Sequence, residues 1–150
     1  MEDSTRPLNL EADLLVIGWG KAGKTLARDL ASHGRRVVLV ERDDAMIGGT
    51  CINVACVPTK TLVNLAERRG DRNPDEYLKQ AIASRDALID KLRAANKAML
   101  SGLETVTLVR GEARFAGPRR IRVRSGEETL DITAGAVVVN TGTSPLMPDI

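Results

Sequence analysis

Residues 12–41, ADLLVIGWGKAGKTLARDLASHGRRVVLVE, decide the fold. A short apolar run ends at a glycine, as a buried parallel strand does. KAGKTLARDLASHG follows with apolar residues at helical spacing, and Gly34 suits the helix C-cap. RVVLVE then reads as a second buried strand. Strand, helix and strand within about thirty residues make a βαβ unit, for which a right-handed crossover is expected. Between the first strand and the helix, Gly18, Gly20 and Gly23 spell G-x-G-x-x-G. That spacing allows a sharp turn, then close approach of backbone to a pyrophosphate, then tight helix–strand packing. Phosphates so placed meet the free N–H groups and positive end of the helix. Glu41 ends the second strand where a carboxylate accepts from adenosine ribose hydroxyls. The segment predicts dinucleotide binding and leaves NAD and FAD undecided. Trp19 is expected to cover the turn, and Lys21 and Lys24 read as solvated lysines at the helix start.

The chain has 150 residues, enough for one domain or part of a larger one. Only 2% of residues are aromatic, so Val, Leu, Ile and Ala must fill the core. A formal charge of +2 creates no large field, which argues against a nucleic-acid or membrane surface. PRRIRVR alternates basic and apolar residues, as a strand with a solvated face does. Residues 1–10 read as a polar leader and residues 11–150 as the domain. MEDSTRPLNLEA lacks the character of a secretory signal, so a cytoplasmic location is expected.

Beyond the βαβ unit, residues 58–69 predict a short helix. NPDEYLKQAIASRDALIDKLRAANKAMLSG predicts a long one, capped by Asn73, with Pro74, Asp75 and Glu76 in its first turn and Gly102 at its end. Leu78, Ile82, Leu88, Leu92, Met99 and Leu103 are expected on its packing face. Parallel strands are expected at 12–17, 36–41, 105–109 and 136–140, with an antiparallel meander at 112–132.

Both cysteines, Cys51 and Cys56, lie in GGTCINVACVPTK. Zinc needs three or four ligands, and two Cys plus the lone His33 do not make a closed site. No metal site is expected, and His33 reads as a surface residue at a helix end. A structural staple closing so small a loop would contribute little, and a reducing compartment disfavours it. Residues five apart in a regular helix lie roughly 8.7 Å apart at Cα, beyond disulfide reach. The two cysteines can therefore bridge only where the chain between them leaves regular helix. Pro58 supports that break: it disfavours helix at Val57 and suits the first turn of a following helix. The natural arrangement is an irregular turn running into a helix N-terminus, where an anionic sulfur is favoured, with Lys60 nearby. A small-loop disulfide beside a dinucleotide site reads as a redox device.

GGTCINVACVPTK resembles the redox-active signature of the flavoprotein pyridine nucleotide–disulfide oxidoreductases, among them dihydrolipoamide dehydrogenase, glutathione reductase and mercuric reductase. The resemblance also covers the glycine fingerprint with Glu41, the long helix, RGEARF and VVVNTG. GKAGKTLA, DAMIGGTCIN and PTKTLV resemble a bacterial subgroup associated with reactive-chlorine and hypothiocyanous-acid stress. The resemblance implies an α/β fold: the front half of a Rossmann-like FAD-binding domain, with crossover helices and a small meander. It implies FAD as cofactor, with Gly18, Gly20 and Gly23 at the pyrophosphate and Glu41 at the ribose. Gly49 and Thr50 would lie along the pyrophosphate and ribityl chain, Ala113 at the adenine, and Thr141 and Gly142 in the turn closing over the cofactor. Lys60 would approach the flavin edge, Cys56 would be the charge-transfer thiol, and Cys51 the exposed interchange thiol. Electrons would pass from NAD(P)H through FAD and Cys51–Cys56 to a small oxidised substrate, in a homodimer. Relatives of roughly three times this length carry a NAD(P)H domain and a C-terminal interface domain whose His–Glu pair acts across the dimer. The chain is therefore expected to be a partial domain with little turnover by itself. Ala55 replaces a Gly that usually precedes the second cysteine, a cost only if that position needs positive φ. The rival reading is a non-catalytic adenine-dinucleotide module with a redox-sensing thiol pair.

Overall fold

The computed structural model describes residues 8–144 and 146–149. Its elements run β1 (Leu8–Ile17), α1 (Lys21–Ser32), β2 (Val37–Glu41), a 3-10 turn (Asp44–Met46), α2 (Thr50–Asn53), α3 (Cys56–Glu67) and α4 (Pro74–Ser101). Four strands follow: β3 (Val106–Arg110), β4 (Glu112–Gly117), β5 (Arg120–Ser125) and β6 (Glu128–Val139). They form one six-stranded sheet in the order β3-β2-β1-β6-β5-β4. The pairs β1–β2, β2–β3 and β1–β6 are parallel. The pairs β4–β5 and β5–β6 are antiparallel. The βαβ unit, the parallel strands and the meander are all present, and the α/β class is as expected.

Two boundaries differ from the sequence reading. The strand expected at 136–140 and the last arm of the meander are one continuous strand, β6. Its pairing with β1 begins at Leu8↔Leu130 and ends at Ile17↔Val139. β1 accordingly starts at Leu8, so Leu8–Leu10 belong to the sheet and not to a loose leader. The leader's residues 1–7 lie outside the described residues. ETLDIT and AVVVN looked like separate strands because Gly135 sits between them. In fact Gly135 is where another backbone comes close: a Cβ there would lie 2.9 Å from the Asp13 carbonyl oxygen.

Side chains alternate across the sheet and build two cores. Leu14 and Val16 of β1 and Val37 and Leu39 of β2 pack with Trp19, Ala27, Ala31, Ile47 and Leu100 on the helical face. Leu15, Val38 and Val40 pack on the other face with Ile121, Val123 and Ile132. Three strands separate β2 from β4 in the sheet order, yet the two touch. The sheet therefore curls, and the Gly111 N–H donates to the Glu41 carbonyl at 2.9 Å. This curl brings the β4–β5 hairpin over the carboxyl ends of the parallel strands, where α/β sheets bind ligands.

α4 is capped as expected: the Asn73 carboxamide oxygen accepts from Asp75 N and Glu76 N. Its packing face is the expected one only at the C-terminal end. Leu78, Ile82 and Leu88 are exposed, while Tyr77, Ala81, Ile89 and Leu100 are buried. The N-terminal half packs on α3 through Tyr77, whose hydroxyl donates to Leu65 O at 2.8 Å. Only the C-terminal end reaches the main core, where Met99 and Leu103 join Leu100.

Candidate functional site

The site begins with the glycine loop. Gly18 has φ +94°, and a Cβ there would strike the backbone of Asn140. Gly20 and Gly23 are held small by another part of the same residue. A Cβ on either would lie 2.6 Å from Asn140 Nδ2. Asn140 follows β6, bonds through its backbone N–H to Ile17 O at 2.8 Å, and turns its carboxamide under the loop. Trp19 is buried in the helical-face core. Glu41 braces the loop from the other side. Its Oε2 accepts from Trp19 N at 2.9 Å, and its Oε1 accepts from Arg42 N and Asp43 N at 2.9 and 3.2 Å.

The second half of the site is the turn before the cysteines. Gly49 has φ +83°, and a Cβ there would lie 2.9 Å from Gly20 Cα. The two glycine turns thus touch backbone to backbone. Three successive carbonyls of this turn are held by side chains. Asn53 Nδ2 donates to Ile47 O and Gly49 O at 2.9 and 3.0 Å. Lys24 Nζ donates to Gly48 O at 3.3 Å and to Asn96 Oδ1. Arg93 donates to Asn53 Oδ1 from Nε at 3.2 Å and a terminal nitrogen at 3.1 Å. α4 therefore clamps the turn through Arg93 and Asn96. Lys24 is buried, contrary to the solvated reading, and desolvation pushes its ammonium below the ordinary lysine range. The cause of the misreading is packing: α1 turns Lys24, with Gly23 and Ala27, toward its buried face.

A cleft of about 420 Å³ opens between these parts. Gly18, Gly20, Glu41, Gly49, Thr50, Ala113, Thr141 and Gly142 all line it. Gly23 does not; it lies beneath, between Val16 and Asn140. Cys51, Cys56 and Lys60 also lie outside the cleft lining.

Cys51 is the second residue of α2, immediately after Thr50, and Cys56 is the first residue of α3. Between them Val54 (φ −127°, ψ −36°) and Ala55 (φ −111°, ψ −90°) leave regular helix. Both thiols are free and exposed. The neighbouring Cys56, with some burial, raises the Cys51 thiol above its ordinary value, while Lys21 and Lys24 pull it back down. The chain between the cysteines does leave regular helix, as the sequence reading required, but at Val54 and Ala55; Val57, where Pro58 was expected to oppose helix, lies in the first turn of α3. Ala55 has negative φ, so its methyl group carries no left-handed strain. Lys60 is exposed on α3, one turn beyond Cys56 and on the same face. His33 is exposed at the end of α1, its Nδ1 2.8 Å from Asp29 O. Among the described residues, no group of three or more His, Cys, Asp or Glu gathers at one point.

Sequence reasoning missed Asn140, Asn53, Arg93 and Asn96. Each is an ordinary polar residue in an ordinary run, and each acquires its role only through a contact far along the chain.

A parallel-sheet α/β domain with a glycine loop at its strand ends and a thiol pair at the same edge defines a class: dinucleotide-linked thiol oxidoreductases. The comparison with known proteins narrows it. Residues 12–150 match the pyridine nucleotide-disulphide oxidoreductase family, and the chain belongs to that family. It is 39% identical over 136 residues to the probable pyridine nucleotide-disulfide oxidoreductase RclA of Escherichia coli K12, covering 91% of this chain and 30% of RclA. It is 38% identical to dihydrolipoyl dehydrogenase of Thermus scotoductus, covering 89% of this chain and 30% of the relative. It is 34% identical to mercuric reductase of Staphylococcus aureus, covering 92% and 26%. The solved structure of the Cu(II) complex of the HOCl-induced flavoprotein disulfide reductase RclA from Escherichia coli superimposes with a TM-score of 0.85 at 38% identity. The match covers 93% of this chain and 30% of that one. The chain thus spans about a third of the length of these relatives. Family membership favours the reductase reading over a non-catalytic binding module.

Proposed function

We propose that this chain is the FAD-binding, thiol-carrying portion of a disulfide reductase that takes electrons from NAD(P)H and delivers them to a small oxidised substrate. One observation carries the reading. Thr50 lines the cleft and opens α2, and the next residue is Cys51. The cofactor cleft and the thiol pair are thus built from one continuous turn.

The residues fit FAD. Two glycine turns in contact leave a cleft floored by backbone, where a pyrophosphate can approach Gly18, Gly20 and Gly49 without meeting a side chain. The Glu41 carboxylate already accepts three backbone N–H groups and keeps acceptor capacity for a ribose hydroxyl. Ala113, Thr141 and Gly142 line the same cleft, where Ala113 would meet the adenine and Thr141 and Gly142 would close over the cofactor. When bound, FAD supplies the two-electron chemistry that links the nicotinamide to the thiols. Cys56 and Lys60 share one face of α3, which suits a sulfur and a cation meeting one flavin edge. Cys51 is the interchange thiol; where the substrate is itself a disulfide, the Cys51 thiolate attacks one of its sulfurs, and a mixed disulfide forms as the other sulfur leaves with the electron pair. Cys56 then displaces the substrate and regenerates Cys51–Cys56.

We further propose that the complete protein is homodimeric, acts in bacterial oxidative-stress defence, and works in the cytoplasm without nucleic-acid or membrane partners. The likeness to HOCl-induced RclA supports the stress role. Among the described residues, no helix is long and apolar enough to cross a membrane. Equilibrium titration of the 150-residue chain with FAD and with NAD tests the cofactor. Flavin fluorescence should be quenched on binding, with FAD bound more tightly; tighter binding of NAD would overturn the assignment.

A further inference from the structure

Asn53 lies between the two cysteines, two residues after Cys51 and three before Cys56. Its carboxamide is engaged at both ends. Nδ2 donates backward to Ile47 O and Gly49 O at 2.9 and 3.0 Å. Oδ1 accepts from Arg93 of α4, from Nε at 3.2 Å and from Nη2 at 3.1 Å. The entry turn has a separate anchor, Lys24 on Gly48 O. The Asn53 bonds add a tie between that turn, the segment carrying the thiols, and α4. Pro58 shows why the tie matters. In a continuous helix its ring would meet the Val54 carbonyl, and it has no N–H to give that carbonyl. The helix breaks at Val54 and Ala55 accordingly. A proline forbids one path without choosing another. α2 is left with four residues, too few to hold a helix unaided. Asn53 makes the choice by folding α2 back onto the turn from which it starts.

We propose that Asn53 and Arg93 are positioning residues for the thiol pair: they hold the segment between Cys51 and Cys56 on the bent path from which the disulfide closes, and so favour the disulfide over the dithiol. This deepens the reductase reading, and it rests on that reading for Cys51–Cys56 as the redox couple.

The bonds are made while both thiols are free. The segment is therefore ordered before the disulfide forms, and the chain entropy that closure would otherwise cost has already been lost. Loosening the segment stabilises the dithiol more than the cross-linked form, whose ends are tied in any case. Arg93 reaches the segment through Asn53, and its third nitrogen is taken by Asp90 on its own helix. Two paired nitrogens on one oxygen fix the carboxamide in a way that a single ammonium does not.

The test equilibrates the 150-residue chain with reduced and oxidised glutathione, without flavin. The S–S bond of glutathione disulfide breaks as the Cys51–Cys56 bond forms; two electrons pass to the glutathione sulfurs, and the two thiol protons end on glutathione. Acid quenching, alkylation and mass spectrometry give the fraction oxidised. Arg93→Met and Asn53→Ala should each lower the equilibrium constant for disulfide formation by about three- to tenfold. Arg93→Lys should fall between Arg93→Met and the parent. The double variant should match Asn53→Ala alone, because Arg93 acts through Asn53. Tyr77→Phe removes a different tie between α4 and α3 and should leave the constant unchanged. Arg93 is partly exposed, so its replacement leaves the fold intact even if Asn53→Ala unfolds. An Arg93→Met constant equal to that of the parent would overturn the proposal. So would an equal shift in Tyr77→Phe, or additive effects in the double variant. A parent that forms no internal disulfide in any buffer would overturn the redox reading as well. Variants unmoved beside a parent that does form one leave that reading standing.

Discussion

Asn140 shows how much one carboxamide can carry. It closes β6 onto Ile17, fills the space under Gly20 and Gly23, and donates to Gly18 O at 3.4 Å. Asn140→Ala should leave a void under the loop and weaken FAD binding about tenfold with a small loss of stability, whereas Asn140→Leu should abolish binding. FAD titration beside thermal melts separates the two effects. Asp131 is a second case. It is 3% exposed and is held by Arg120 at 2.6 Å and by Arg122 at 2.8 Å. Those guanidiniums hold its carboxyl far below the usual carboxylate range. A depressed folded-state value means the contribution is fully present above the unfolded value and is lost as pH falls. The melting temperature should therefore drop below about pH 4. Asp131→Asn should lower it at pH 7 by several degrees and flatten that acid limb, as melts from about pH 3 to 7 will show. The sequence disclosed PRRIRVR as a strand with a basic face. It did not disclose that two of those arginines share one buried carboxylate on the neighbouring strand.

Among the elements, the legible ones were those whose sequence signals are local. The βαβ unit is written in a strand, a glycine turn and an amphipathic helix that need nothing else. The break between α2 and α3 was legible only in part: two cysteines five apart called for one, but Pro58 pointed to Val57, which is helical, and the break falls at Val54 and Ala55. The packing face of α4 was legible only at its C-terminal end. Periodicity counts leucines, but α4 meets α3, α2 and α1 at different points along its length, and small or aromatic residues fit those approaches better. Tyr77 and Ala81 pack where Leu78 and Ile82 were expected. The two polar contacts by which α4 holds the redox turn were equally hidden, since Arg93 and Asn96 look like residues of a solvated face. The helix break makes its own prediction. Ala55 sits at negative φ, so Ala55→Gly should destabilise the fold by about 0.5–1 kcal/mol through added freedom in the unfolded chain. Urea denaturation at constant m-value measures it. A stabilising effect would mean that the turn is under strain at Ala55.

Across the whole molecule, the parallel pairing of β1 with β6 is the seam along which the sheet is joined. The amides of Leu14, Leu15, Val16 and Val38 lie in the buried parallel part of the sheet and should exchange with solvent most slowly. Those of β3 and β4, at the two edges, should exchange first. Native-state hydrogen exchange read by NMR gives the order directly. The same seam sets a timetable for the nascent chain. β1 leaves the ribosome before every other element of the sheet, and its partner β6 follows only after all of them. Until Val139 has emerged, β1 can pair on one side only, with β2, and its other edge stays open. The glycine loop meanwhile lacks Asn140 beneath it. Maturation of the cofactor cleft is thus deferred until β6 and Asn140 have emerged, and the high sequence separation of the closing contact favours a slow final step. An open apolar edge held for that long is an invitation to mispairing, and the chain's dependence on chaperones should be greatest in that interval.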